Sequence, residues 1–261
     1  MVISKTLTTI DKHTISCRHF KNRHPNVVVI AHGFYNSKDA DLLQGLAKDL
    51  TCDYDVFMFD FRGHGKSSGL FTWTSKENND LAAVLDYLQA QYEKIGIVAF
   101  SLGASISINL LSKARHKKVS SLILVSCASE FEKIDYKFWQ LDLKGDLIYT
   151  LFSTAGRKGR GVRPGAFWLK KEKPIENVRR IGIPILYIHG EKDWVIKPWH
   201  SRALYEKTQS KKKLVIIKNG PHAEYLLRDY PEDFLREIRK WLRSTMRRQG
   251  RWNPDIYKKV D

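Results

Sequence analysis

The stretch "AFSLGAS", residues 99–105, sets a single serine between an apolar run and a run of small residues. Before it lies "KIGIVAF" (94–100), an almost continuous apolar segment of the kind that forms a strand buried on both faces. After it lies "LGASISINLLSKAR" (102–115), which reads as a helix. A serine hydroxyl is a weak nucleophile until a base takes its proton, and it must stand clear of the sheet for a carbonyl to reach it. A sharp strand-to-helix turn achieves this, provided that the residues two positions away are small. Ala99 and Gly103 meet that demand, Ala99 standing where glycine is usual. A literal G-x-S-x-G match lies elsewhere, in "GKSSG" (65–69), and nominates Ser67. The residues after it, "LFTWTS", are turn-rich with no helical pattern, so Ser101 is the candidate nucleophile.

Working outward, short β-rich runs alternate with longer helical ones. "KTLTTI" (5–10) and "TISCRHF" (14–20) form an expected opening hairpin. Strands follow at 26–34, 55–61, 94–100, 119–128, 183–190 and 213–220, with helices at 39–50, 80–92, 102–115 and 199–209 and from Pro231 onward. Asp39 is the expected N-cap of the first helix. This alternation predicts an α/β fold, a mostly parallel central sheet of about eight strands with helices on both faces. The core is expected over 1–126 and 181–248. Residues 127–180 hold more chain than a crossover needs and carry many aromatic side chains, Phe138 and Trp139 among them, so they read as an inserted cap or lid. A basic tail is expected over 249–261.

The apolar runs are too short to span a bilayer and the N-terminus lacks a secretory pattern. Three widely spaced cysteines (Cys17, Cys52, Cys127) suit free thiols in a reducing compartment, and a cytoplasmic address is expected. The net charge of +17 favours acidic partners, and so an acidic small-molecule ester is one expected substrate class. Its denser patches, "RKGRGVR" (157–163), "SKKK" (210–213) and the end of the chain from Arg243, do not interleave aromatic with basic residues. A solvated basic surface is therefore expected rather than a dedicated nucleic-acid site. "GHGKS" lacks the leading glycine of a phosphate loop, and no His/Cys cluster has zinc spacing, so neither a cofactor nor a metal is expected.

As a set, "HGF" (32–34), "DFRGHGKSSG" (60–69), "AFSLGA" (99–104), "HGEKDWVIKP" (189–198) and "NGPHAEY" (219–225) resemble the α/β-hydrolase superfamily, in its motif order, from about residue 5 to 243. Members that resemble this arrangement include monoacylglycerol-lipase-like and cinnamoyl-esterase-like serine esterases and serine aminopeptidase-like hydrolases. The resemblance implies a triad of Ser101, Asp193 and His222 and an oxyanion hole from the backbone N–H groups of Phe34 and Leu102, while Glu130, after the preceding strand, is the alternative acid by its position. His32, His64 and His189 sit in glycine-rich turns and are expected to bond the backbone rather than do chemistry, and Asp60 and Arg62 are expected to shape the loop over the site. Phe138, Trp139 and Trp194 are candidate pocket residues. The activity implied is hydrolysis of carboxylic esters through an acyl-enzyme. A peptidase or thioesterase on the same scaffold, and a non-catalytic basic protein binding nucleic acid or anionic lipid, are the alternatives.

Overall fold

The computed structural model describes residues 1–113, 116–134, 161–166 and 168–246. Among these, the strands are β1 (Val2–Thr8), β2 (Thr14–Phe20), β3 (Asn26–Ala31), β4 (Asp55–Phe59), β5 (Lys94–Phe100), β6 (Val119–Val125), β7 (Ile185–Gly190) and β8 (Lys212–Ile217). They form one eight-stranded sheet in the order β1-β2-β4-β3-β5-β6-β7-β8. β1 pairs antiparallel with β2, and β2 with β4; every other pairing is parallel. The helices are α1 (Asp41–Leu50), α2 (Asn78–Gln89), α3 (Leu102–Leu111), α4 (Pro174–Asn177), α5 (Trp199–Lys207), α6 (Tyr225–Asp229) and α7 (Pro231–Met246).

The apolar strands are covered on both sides, and strand periodicity divides their side chains between two cores. Val27, Val29, Ile95, Ile97 and Leu124 pack with Leu81 and Leu85 of α2 and with Leu204 of α5. Their neighbours Val28, Ile30, Val98, Phe100 and Ile123 pack with Leu43 of α1 and with Phe234, Ile238 and Leu242 of α7. This doubly covered sheet explains why β3 and β5 read as continuous apolar runs rather than alternating ones.

Two boundaries differ from the sequence reading for visible reasons. Asp39 does not cap α1: the helix begins at Asp41, Ala40 holds the N-cap position without a side-chain bond, and the Asp39 carboxylate instead pairs with Arg18 at 2.8 Å and Lys38 at 3.2 Å. β3 stops at Ala31, not residue 34, because the chain leaves the sheet at His32. The buried His32 ring holds that exit. Its Nε2 accepts the Phe61 N–H at 3.0 Å, which puts its proton on Nδ1, 2.7 Å from the Gly33 carbonyl oxygen.

Arg62 anchors the neighbouring loop. It is buried, with its guanidinium bonded to Asp80 at 2.7 Å and to Asp11 at 2.6 Å. Asp60, also buried, accepts from Lys38 Nζ at 2.8 Å and from the backbone of Lys38 and Lys66. Of the segment expected to be a cap, the described part includes α4 and two isolated bridges, His64 to Val162 and Phe71 to Pro164. Phe138, Trp139 and the tail 249–261 lie outside the described residues. No helix among the described residues is long and apolar enough to cross a membrane.

Candidate functional site

In a sheet ordered β4-β3-β5, the chain runs outward from β3 to β4 and then returns to the other side of β3. The connections after β3 and β5 therefore diverge, leaving a crevice at the carboxyl ends of these two strands. Ser101 stands there, between β5 and α3. Its φ of 48° and ψ of −108° are strained for a residue with a side chain. The Ser101 N–H donates to the Val125 carbonyl at 2.8 Å, which ties the turn to the end of β6.

Gly103 makes this turn possible. A Cβ there would come within 2.6 Å of the His32 carbonyl oxygen and 2.7 Å of that of Ala31. Those are backbone atoms at the end of β3, so the first turn of α3 reaches the strand only when that side chain is absent.

His222 arrives from the loop between β8 and α6. Its Nε2 lies 3.2 Å from Ser101 Oγ, and its Nδ1 lies 2.8 Å from Asp193 Oδ2. Asp193 comes from the loop after β7. Its Oδ1 accepts from the backbone N–H groups of Val195 and Ile196 at 2.9 and 2.8 Å, which leaves Oδ2 aimed at the imidazole. His189 supports the same oxygen, with its Nε2 3.2 Å from Asp193 Oδ2 and 2.7 Å from the Ile196 carbonyl, while its Nδ1 faces Ser201 Oγ at 2.6 Å. Burial pushes the Asp193 carboxyl upward, but the charge of His222 and the bonds from His189 and His222 outweigh it. The net effect holds the group well below the usual carboxylate range.

The two loops also lean on each other. A Cβ on Gly190 would sit 2.1 Å from the Pro221 carbonyl oxygen, so a bare α-carbon lets the His222 loop cross the end of β7. The Ala223 N–H then bonds to Ser126 Oγ at 2.9 Å.

The Leu102 N–H opens α3 and has no acceptor within its own helix, the ordinary condition of a helix's first donors. The helix dipole adds positive potential at that point. Phe34 follows the His32-Gly33 exit from β3, and its exposed ring stacks on Trp73 at 5.7 Å between centroids.

The other sequence candidates separate cleanly. Ser67 is buried, donates to the Asp60 carbonyl at 2.6 Å and accepts the Ser16 N–H at 2.9 Å, so both sides of its hydroxyl are committed to the scaffold. Glu130 pairs with Lys133 at 2.7 Å and Lys173 at 3.5 Å, whereas Asp193 meets His222. The Trp194 ring is 6.5 Å from that of His222. His64 bonds the Arg62 carbonyl at 3.0 Å through Nδ1. Three contributors escaped the sequence reading. Asn36 and Glu224 join the two loops through a 2.6 Å hydrogen bond, and Ser126, at φ 49°, supports the His222 loop. Glu224 lies within the quoted "NGPHAEY" stretch but no role attached to it there, and Asn36 and Ser126 carry no motif, because each acts across a contact between segments distant in sequence.

Cys17 and Cys127 are buried, with burial pushing both thiols up to about 12, and Cys52 is exposed; none is disulfide-bonded. Among the described residues no group of three His, Cys, Asp or Glu is arranged to hold a metal ion.

Comparison with known proteins agrees with this architecture. The family model described as the alpha/beta hydrolase fold matches residues 26–146, and that of the X-Pro dipeptidyl-peptidase (S15) family matches 162–224. The chain is 28% identical over 213 residues to the uncharacterized protein YqkD of Bacillus subtilis, covering 76% of this chain and 65% of that one. It is also 28% identical over 179 residues to the alpha/beta hydrolase domain-containing protein WAV2 of Arabidopsis thaliana, covering 66% and 53%. The chain thus spans between about half and just under two thirds of the length of these relatives. Among solved structures, the Pyrococcus furiosus esterase Pf2001 superposes with a TM-score of 0.77 at 23% identity, over 95% of this chain and 92% of that one. The esterase EaEST from Exiguobacterium antarcticum gives 0.75 at 19%, over 92% and 100%. At these identities the structural likeness concerns the fold.

Proposed function

We propose that this chain, which has the α/β-hydrolase fold, is a serine hydrolase that cleaves carboxylic esters through an acyl-enzyme. The observation that carries this reading is the contact chain at the carboxyl edge of the sheet, Ser101 Oγ to His222 Nε2 at 3.2 Å and His222 Nδ1 to Asp193 at 2.8 Å. In the proposed reaction, His222 Nε2 takes the Ser101 hydroxyl proton as Oγ bonds to the ester carbonyl carbon. The Asp193 carboxylate keeps the other imidazole proton on Nδ1 and stabilises the imidazolium. The N–H groups of Phe34 and Leu102 receive the oxyanion, each contributing about 2.7–4 kcal/mol to the transition state. The imidazolium then protonates the departing alcohol oxygen. Water, deprotonated by the same ring, attacks the acyl-serine, and collapse of the second tetrahedral adduct frees the acid and restores Ser101. Trp194, beside His222, and the aromatic residues of 127–180 are proposed to bound an apolar pocket. The esterases among its structural neighbours favour an ester as the substrate.

Amide cleavage is the second reading. It is favoured by the match of residues 162–224, which include Asp193 and His222, to the X-Pro dipeptidyl-peptidase family model. A fluorophosphonate probe tests the nucleophile: wild type and Ser67→Ala should label, and Ser101→Ala should not. Equal labelling of Ser101→Ala and wild type would end the proposal. Turnover of p-nitrophenyl esters beside aminoacyl p-nitroanilides then decides between ester and amide.

A further inference from the structure

The wall beside Ser101 carries a charge opposite to that of the chain. Lysine and arginine outnumber acidic residues 45 to 28, yet the charged group within 4 Å of a Cβ placed on Gly33, beside the turn, is the carboxylate of Glu224. A Cβ placed on Gly33 would lie 3.4 Å from Ser101 Cβ and 3.9 Å from Glu224 Oε2, so the serine and this oxygen flank one small space. Glu224 Oε1 accepts from Asn36 Nδ2 at 2.6 Å, which fixes the side chain between the loop after β3 and the loop bearing His222. Oε2 has no hydrogen bond and no ion pair with any described residue.

Among the described residues, Lys38, two positions after Asn36, pairs with Asp60 and Asp39, and Arg228, four positions after Glu224, pairs with Asp229 and lies over the Tyr225 ring at 5.0 Å. A half-buried carboxylate oxygen left without a cation among the described residues, in so basic a protein, is an anion presented to whatever enters the crevice. Exposed aromatic faces accompany it. Phe34 follows Gly33 directly, and Trp194 lies 5.7 Å from the Tyr225 ring, in the residue next to Glu224. A carboxylate bordered by aromatic faces is chemistry that holds an ammonium group.

We infer that Glu224 is a specificity-determining residue that selects esters carrying a positively charged nitrogen near the scissile carbonyl. The inference rests on Ser101 being the nucleophile. It reverses the preference for acidic substrates that the net charge alone suggests, because exposed charges beyond about 8 Å are screened at physiological salt while Glu224 is not. Glu224 Oε2 and Ser101 Cβ are separated by no more than about 7 Å, a range at which one charge pair changes kcat/KM by about tenfold.

The test uses two pairs of isosteres that exchange N⁺ for carbon. One pair is p-nitrophenyl 4-(trimethylammonio)butanoate and 5,5-dimethylhexanoate; the other is 2-(trimethylammonio)ethyl acetate and 3,3-dimethylbutyl acetate. Rates are corrected for hydroxide-catalysed hydrolysis. Wild type should favour the cationic member of at least one pair by about tenfold in kcat/KM, and this preference should shrink in 0.5 M salt. Glu224→Gln keeps an acceptor for Asn36 and should bring the ratio close to one. Ratios within twofold of unity in wild type, or a preference that survives Glu224→Gln, overturn the inference alone. If no ester is hydrolysed and the probe does not label, the serine-hydrolase reading falls and this inference with it. The salt dependence, measured on wild type, keeps the test decisive whatever the stability of the variant.

Discussion

Asp193→Asn isolates what the acid contributes, because the geometry dictates which way the new amide points. In the wild type, Oδ1 accepts two backbone N–H bonds, from Val195 at 2.9 Å and Ile196 at 2.8 Å, while Oδ2 faces His222 Nδ1 at 2.8 Å. An asparagine oriented with its NH2 toward the loop would set donors against donors and orphan both amides. At about 1–3 kcal/mol for each unsatisfied buried group, that orientation is disfavoured by about 2–6 kcal/mol. The amide oxygen therefore stays on Val195 and Ile196, and the NH2 group faces His222 Nδ1. That nitrogen becomes an acceptor, the imidazole proton moves to Nε2, and Nε2 can no longer take the Ser101 proton. The developing imidazolium also loses its carboxylate. Together these effects are expected to lower kcat by about 10⁴-fold, or about 5.5 kcal/mol of barrier. KM should change little, since Asp193 is buried behind the imidazole and does not line the substrate's path. The assay is steady-state turnover of p-nitrophenyl acetate, alongside the rate of fluorophosphonate labelling and a melting curve to establish folding. A folded Asp193→Asn protein retaining kcat within tenfold of wild type would refute the tautomer argument and the role given to Asp193.

Acid should weaken the fold well above the carboxylate range. Burial holds His19 and His32 down at about 4 and His64 at about 3, against 6.5 for an exposed imidazole. Between pH 6.5 and 4 the unfolded chain therefore binds protons at these three imidazoles that the native one refuses. This outweighs the single opposite contribution of Asp80, whose carboxyl burial pushes up to about 7, so stability falls as pH falls through that window. The urea midpoint should drop steadily across it, and a flat profile would contradict the buried neutral assignment. Gly103→Ala should destabilise by about 1–3 kcal/mol and slow probe labelling, because its methyl meets immovable backbone oxygens. Gly182→Ala, with nothing within 4 Å, should do neither in the same melting and labelling experiments. Arg62→Leu strips the buried Asp80, whose carboxyl burial pushes up to about 7 even beside the guanidinium, of its partner and should cost about 3–5 kcal/mol in denaturant unfolding. Asp11→Ala removes the half-exposed partner of the same arginine and should cost far less.

The order of strands and helices was readable from local pattern. Continuous apolar runs such as "NVVVIA" are what a sheet covered on both faces requires, and small residues around Ser101 are what a strained turn beside β3 tolerates. The opening hairpin, β5 and α7 were legible because each is decided by its own residues. The Asp39 cap failed because an acid before a helix has the same local pattern whether it bonds the helix or, as here, pairs with its neighbour Lys38 and with Arg18 brought in by the fold.

Local pattern marked the candidate nucleophile along the chain, and the resemblance to the α/β-hydrolase superfamily implied the acid and the imidazole and their order. Only the tertiary structure decided that Ser101 and His222, separated by 121 positions, stand 3.2 Å apart, that Asp193 rather than Glu130 meets the ring, and that Glu224 lies against the serine turn. The physical reason is one of range. Propensity and periodicity act over a few neighbouring residues, whereas the reversal of strand order about β3 gathers loops from opposite ends of the chain and sets the charge that a substrate meets.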